Sequence, residues 1–111
     1  MNGDVDEVLR AIAEPRRRAI LRLVATEELP AGRIAEHFEV TRSAVSQHLQ
    51  ILKDAGLVLE RRDGTKRIYR ASEDALAQLR EVVESLWRES MARARDSVEG
   101  GDALRDEQVA G

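Results

Sequence analysis

Residues 57–71, LVLERRDGTKRIYRA, place strand-forming side chains on both sides of Asp63-Gly64. An Asp-Gly step between two such runs is a strong hairpin-turn signal. It is the one stretch of this kind in a chain whose other apolar patterns are helical. Val5, Val8, Leu9 and Ile12 recur at helical spacing, and their short helix must stop before Pro15. Pro15 suits the first turn of the next helix, PRRRAILRLVAT, with Ile20, Leu23 and Val24 inward. Pro30 opens a third, AGRIAEHF, with Ile34, Ala35 and Phe38 inside. Glu39 and Val40 leave a tight connection to Thr41, a good N-cap, and the fourth helix ends near Gly56, a C′ glycine. After the hairpin, Ser72 caps a long helix whose first turn holds Glu73 and Asp74, matched to the positive end of its dipole. Leu76, Leu79, Val83 and Leu86 run down one face of it, widened by Val82, Trp87 and Met91, and the stripe fades after Ala94. One domain over residues 1–99 is expected, followed by a flexible acidic tail over 100–111.

The fourth helix carries two kinds of surface. A turn of about 100° per residue gathers Ile51, Ala44, Ala55, Leu52, Val45 and Leu49 into one arc, with His48 inside it. Ser46, Gln50, Ser43, Asp54 and Gln47 fill the opposite arc, with Arg42 and Lys53 at its border. A merely solvated face favours Glu and Lys; this one has short hydrogen-bonding side chains and no acid in its first turns. A short helix and a tight turn precede it, which is helix-turn-helix geometry. There the start of the second helix enters the major groove, where Arg pairs with guanine, Gln with adenine, and Ser donates or accepts. Arg42, Ser43, Ser46 and Gln47 are the expected base readers, with Gln50 a turn deeper.

The hairpin extends the pattern. Arg61, Arg62, Lys66 and Arg67 surround its turn and Arg70 follows. Basic residues on an edge strand also serve simply to block aggregation. Beside a recognition helix they read as a wing on flanking phosphates, with Thr41 and Lys53 completing the backbone set. The fold class that results is mainly α with a β-hairpin, a winged helix-turn-helix ordered α-α-α-α-β-β-α. Net charge is −3, yet residues 15–71 hold twelve Lys/Arg against seven acids, while both flanks are acidic. That asymmetry fits double-stranded DNA as the partner of the middle.

Other chemistries lack their residues. Cysteine is absent, which excludes disulfides, thiol redox sensing, zinc ribbons and cysteine nucleophiles. No Gly-rich phosphate loop appears, and neither histidine has a Ser or acidic neighbour at an informative spacing, so no catalytic site and no cofactor are expected. His48 is expected to be packed or hydrogen-bonded, and His37 to meet the negative end of its helix dipole. No run approaches the roughly 20 apolar residues of a membrane span. Without a basic-then-apolar leader at the start, a cytoplasmic location is the simplest expectation. A winged helix used purely as a protein-interaction module is the alternative; it calls for an apolar or acidic exposed face on the 42–55 helix.

LRAIAEPRRRAIL at 9–21, TRSAVSQHLQILKDAGLV at 41–58 and the wing ending in RIYRA together resemble the ArsR/SmtB family of bacterial winged-helix regulators, over roughly residues 5–90. The resemblance implies DNA contacts at Arg42, Ser43, Ser46 and Gln47. It also implies a homodimer built from the first and last helices, through Val5, Val8, Leu9, Ile12, Leu76, Leu79, Val83, Leu86, Trp87 and Met91. A single small core cannot cover all of those apolar residues, and a two-fold dimer would demand a roughly palindromic operator. Many members sense metal through Cys pairs or through Asp, His and Glu on the last helix; this chain has no Cys and no His there. A metal-independent repressor is the expectation. Trp87 would line either the dimer seam or a small-molecule pocket, and no motif identifies an inducer.

Overall fold

The computed structural model describes the backbone of residues 5–100 and the side chains of residues 5–97. Five helices and three strands follow in the order α1 (Val5–Ala13), α2 (Pro15–Thr26), β1 (Leu29–Pro30), α3 (Ala31–Phe38), α4 (Arg42–Asp54), β2 (Val58–Asp63), β3 (Lys66–Ala71) and α5 (Glu73–Gly100). Contacts divide the described residues into two compact units that part between Leu79 and Arg80, so only the beginning of α5 belongs to the first. Helix α5 continues through Gly100, past the fading of its apolar stripe; the rest of the expected tail, 101–111, lies outside the described residues. No helix is long and apolar enough to cross a membrane, among the described residues.

The first unit is built around Ile20, Val24, Ile34, Val45, Leu49, Leu52, Leu57 and Val58, all essentially inaccessible. Burying a side chain of this size stabilises by about 1.5–3 kcal/mol. In α2 the buried set is Ile20, Leu21 and Val24, with Leu23 only half-buried: the expected face is rotated by part of a turn. In α4 the buried stripe is Val45, Leu49 and Leu52. Ile51, at the edge of that stripe beside half-buried Ala44 and His48, is 42% exposed, whereas its place on the helical wheel put it inside.

Side chains close the helix ends. Glu14 caps α2, its carboxylate accepting from the amides of Arg16 (3.1 Å) and Arg17 (3.2 Å), and Pro15 occupies the first turn, where its missing N–H costs nothing. The basic run that follows faces inward. Arg17 Nε donates to the Ala11 carbonyl at 2.6 Å, and Arg18 donates to the carbonyls of Ile12 (2.7 Å) and Ala13 (3.1 Å). Both guanidiniums thereby satisfy the open C-terminal carbonyls of α1 and meet the negative end of its dipole. Arg16 reaches the Phe38 carbonyl at 3.5 Å and lies 5.6 Å over the Phe38 ring. His37 sits in the last turn of α3, edge-on to Phe38.

Two short connections set the helix-turn-helix. Glu39 takes a left-handed conformation (φ 53°) to end α3, and Thr41 Oγ1 accepts from the Ala44 amide at 3.0 Å to start α4. Gly56, at φ 81°, ends α4 as expected of a C′ glycine. The wing differs in register from the simplest reading of its sequence. Asp63 pairs with Lys66, so the two-residue turn is Gly64-Thr65, with Gly64 at φ 67° in the position that needs it. Strand β3 also pairs with the two-residue β1, giving the sheet order β1-β3-β2. That third strand was not legible beforehand, since two residues next to a proline carry no strand pattern.

Candidate nucleic-acid interface

The outer face of α4 starts at its N-terminus. Arg42, Ser43, Ser46 and Gln47 are all exposed, and none of them forms a side-chain hydrogen bond or ion pair within the described residues. Gln50, one turn further on, is engaged: its Nε2 donates to Asp54 Oδ1 at 2.8 Å. The core residues Val45, Leu49 and Leu52 fix the rotation of the helix, so this polar face cannot turn inward without exposing them.

A cleft of about 660 Å³ opens beside it, lined by the beginning of α3 (Pro30, Ala31, Gly32, Arg33, Glu36), by Arg42 and Ser46 of α4, and by Thr65, Lys66, Arg67 and Tyr69 of the wing. Four bases and one acid border it. The structure thus unites Arg42 and Ser46 with Lys66 and Arg67 in one concavity, and adds Arg33, which reading the sequence missed. Arg33 lies in a short helix assigned to scaffolding, and nothing in its local pattern marks it. Helix α3 begins without a side-chain cap and without an acid in its first turn, so its positive dipole end is uncompensated.

The wing's charges divide by sheet face. Residues opposite one another in an antiparallel ladder share a face, and successive residues alternate. Glu60 and Tyr69, then Arg62 and Arg67, form one set of opposed pairs; Leu59 and Arg70, then Arg61 and Ile68, form the other. On the first face Tyr69 and Arg67 border the cleft. Arg62 stands directly across from Arg67, a like-charge pair that costs stability unless an anion screens it. Glu60 relieves it in part: it takes Lys53 Nζ at 2.9 Å and the Tyr69 hydroxyl at 3.1 Å, with Arg67 at 3.7 Å. The Lys53 hydrogen bond is the main reason the Glu60 carboxyl titrates below its ordinary value. On the second face Glu28 binds Arg61 (3.0 Å) and stands 3.8 Å from Arg70. The hydrogen bond from Arg61 holds the Glu28 carboxyl below its usual range and raises Arg61 in turn.

Of the backbone-contact candidates, then, Arg62 and Lys66 carry no ion pair within the described residues, Arg67 is loosely paired, and Lys53, Arg61 and Arg70 are held by carboxylates. Thr41 Oγ1 already accepts from the Ala44 amide in the helix cap. His48 belongs to the scaffold. Its Nδ1 is buried without a hydrogen bond and lies 3.7 Å from Glu14 Oε2, so it links α4 to the cap of α2. The apolar residues of the outer helices also separate. Val8, Ile12 and Leu76 pack partly against the first unit's own core, and Leu79 is half-buried. Val5 and Leu9 of α1, and Val83, Leu86, Trp87 and Met91 of α5, are exposed, Trp87 most of all at 65%.

The geometry is that of known regulators. The family model for the bacterial regulatory proteins of the arsR family matches residues 14–59, which run from the α2 cap to the start of the wing. The HTH-type transcriptional regulator Rv2034 of Mycobacterium tuberculosis is 42% identical over 82 residues, 74% of this chain and 77% of that protein. The transcriptional repressor SdpR of Bacillus subtilis is 42% identical over 60 residues, 54% of this chain and 67% of that one. A homodimeric winged helix-turn-helix DNA-binding domain from Mycobacterium bovis, a possible ArsR-family regulator, superimposes with a TM-score of 0.64 at 36% identity, covering 77% of this chain and 79% of that domain. With its mainly helical fold, its β-hairpin wing and a polar helix face laid beside a basic cleft, this chain belongs to the ArsR family of DNA-binding transcriptional regulators, and is not an enzyme.

Proposed function

We propose that the protein is a metal-independent repressor that binds a short inverted repeat in duplex DNA as a homodimer. The observation that carries this reading is the start of α4: Arg42, Ser43, Ser46 and Gln47 exposed, without internal partners, on a helix whose other face is locked into the core. Arg42 has the fork to pair with guanine and Gln47 the amide to pair with adenine, while the serines adapt to either. Gln50 joins them by exchanging Asp54 for a base. Thr41, Arg62, Lys66 and Arg67 meet phosphates; Lys53, Arg61 and Arg70 reach them only by giving up Glu60 or Glu28.

The exposed apolar residues of α1 and of α5 support a two-fold dimer, since a lone chain leaves Val5, Leu9, Val83, Leu86, Trp87 and Met91 in water. Such a dimer sets its recognition helices about 34 Å apart, one DNA turn. Metal independence is supported by the ligand inventory. With no cysteine, a transition-metal site would need several convergent His, Asp or Glu, and no group of three or more exists among the described residues.

The test is binding of the purified protein to its own upstream DNA against scrambled DNA of equal length, in chelator at near-physiological salt. Selective binding of two chains per site, on a two-fold symmetric sequence, is expected. Equal, weak binding to both duplexes, selectivity that returns only with added metal, or one chain per site would each contradict the corresponding part of the reading.

A further inference from the structure

The cations of the first unit fall into two groups when each is asked where its charge goes. Arg16, Arg17 and Arg18 are bonded to helix-end carbonyls, Lys53 to Glu60, and Arg61 and Arg70 lie with Glu28. Arg10, Arg22, Arg33, Arg42, Arg62 and Lys66 have no such partner among the described residues. Three of these six gather where one strand of a polyanion could pass: Arg33 and Arg42 from the helices and Lys66 from the wing border the same cleft, with Arg67 closing it. Arg62 extends the line through its place opposite Arg67 in the ladder. Arg33, Arg42 and Lys66, on both walls of a concavity with one acid (Glu36) among them, have no ion-pair partner among the described residues. Diffuse ions can screen exposed charges, but they do not explain why Glu28 is spent on Arg61 and Arg70 while Arg62 and Lys66 have no carboxylate. Glu28 sits on the sheet face that bears Arg61 and Arg70, not on the face that bears Arg62 and Arg67.

We propose that Arg33 of the scaffold helix is a DNA-backbone contact, that the cleft it shares with Arg42, Lys66 and Arg67 seats one phosphodiester strand, and that Arg61 and Arg70 stay with Glu28 off the duplex. The inference rests on the DNA-binding reading above and sharpens it: the strand runs between α3 and the wing turn, and the footprint takes Arg62 and Arg67 of one hairpin face together with Lys66 beside the turn. Arg33 is exposed and holds no structural contact, so its replacement leaves the fold alone. Arg61 and Arg70, by contrast, are wing residues that any charge count would assign to DNA.

The experiment compares wild type, Arg33→Ala and the double variant Arg61→Ala/Arg70→Ala on the upstream duplex and its scrambled counterpart, over a salt series, with thermal melts to confirm folding. Arg33→Ala is expected to weaken both duplexes alike by about tenfold, the loss of one charge-assisted hydrogen bond. It should also reduce the slope of log affinity against log salt by about one, for one phosphate contact. The double variant is expected to leave that slope unchanged. An unchanged slope in Arg33→Ala overturns the assignment even if wild type discriminates between the duplexes, and a slope reduced only in the double variant would move the strand to the other sheet face. If wild type itself fails to discriminate, the DNA-binding reading falls first and the inference goes with it; the wild-type arm alone separates the two failures. Arg33→Glu provides a second variant, for which a steeper loss is expected and an unchanged affinity overturns the proposal.

Discussion

Two sets of basic residues differ both in how they are spaced along the sequence and in where their charge goes. Arg16-Arg17-Arg18 is the densest run of positive charge in the chain, and the set Arg33, Arg42, Arg62, Lys66 and Arg67 is scattered over 35 positions. The dense run is structural. Its guanidiniums reach the last carbonyls of α1 and of α3, where they satisfy acceptors that no helix can satisfy for itself. Of the scattered set, Arg33, Arg42, Lys66 and Arg67 converge on one cleft and Arg62 stands opposite Arg67; apart from the loose Arg67–Glu60 pair, none has an ion-pair partner among the described residues. Charge density along a chain is therefore a poor guide to an interface. The useful quantity is charge left over after the backbone and the carboxylates have been served.

The contrast can be broken from either side, and the largest effect is expected in the dense run. Arg17→Ala or Arg18→Ala removes a charged donor from partly buried α1 carbonyls, and a loss of about 1.5–3 kcal/mol of unfolding free energy is expected by urea denaturation. The ratio of affinities for operator and scrambled DNA should not change in the folded fraction. A changed ratio with unchanged stability would place these arginines on DNA instead.

Arg42→Ala and Gln47→Ala should do the reverse. Each is expected to cost about 1–3 kcal/mol on the preferred sequence and to relax discrimination at one base pair per half-site, with the melting temperature within error of wild type. Discrimination retained in both variants would remove α4 from the groove.

The smallest effect belongs to the carboxylates that hold the structural charges. Glu14, Glu28 and Glu60 all titrate below the ordinary value of 4.5, chiefly through hydrogen bonds from the Arg16 amide, Arg61 and Lys53 respectively. A depressed carboxyl binds its proton more weakly in the folded than in the unfolded chain. Its stabilising contribution is therefore complete above about pH 4.5 and is lost as pH falls through the folded value. Thermal melts between pH 7 and pH 3 should be flat at first and then decline only below about pH 4.5. Glu28→Gln should flatten part of that decline. A decline that begins near pH 6 would contradict the assignment to these carboxylates.

Much of this architecture was legible in the residues. Pro15, Pro30, Thr41, Gly56 and Ser72 punctuate the helices where the sequence reading placed them, because each acts through local backbone chemistry. What sequence could not supply was long-range. An Asp63-Gly64 turn would have paired Arg61 with Lys66; the actual Gly64-Thr65 turn pairs Arg61 with Ile68 and Arg62 with Arg67. Both registers keep Arg61 on the face of Arg70 and Arg62 on the face of Arg67, but the pairing shifts by two residues, and that shift sets Arg62 directly against Arg67. The roles of Glu28 and Arg33 depend on the sheet lying over α3, which no periodicity encodes. Ile51 shows the same limit within one helix: its place on the wheel is apolar, yet what covers it is settled by neighbouring elements, and here it is 42% exposed.

The division between spent and unspent cations has a direct reporter, the arginine side-chain N–H resonances of isotope-labelled protein titrated with the upstream duplex. The account predicts that Arg33, Arg42, Arg62 and Arg67 shift on binding while Arg16, Arg17, Arg18 and Arg61 keep their free-state positions. Shifts at Arg17 and Arg18 comparable to that at Arg42, or a silent Arg33 and Arg42, would contradict it.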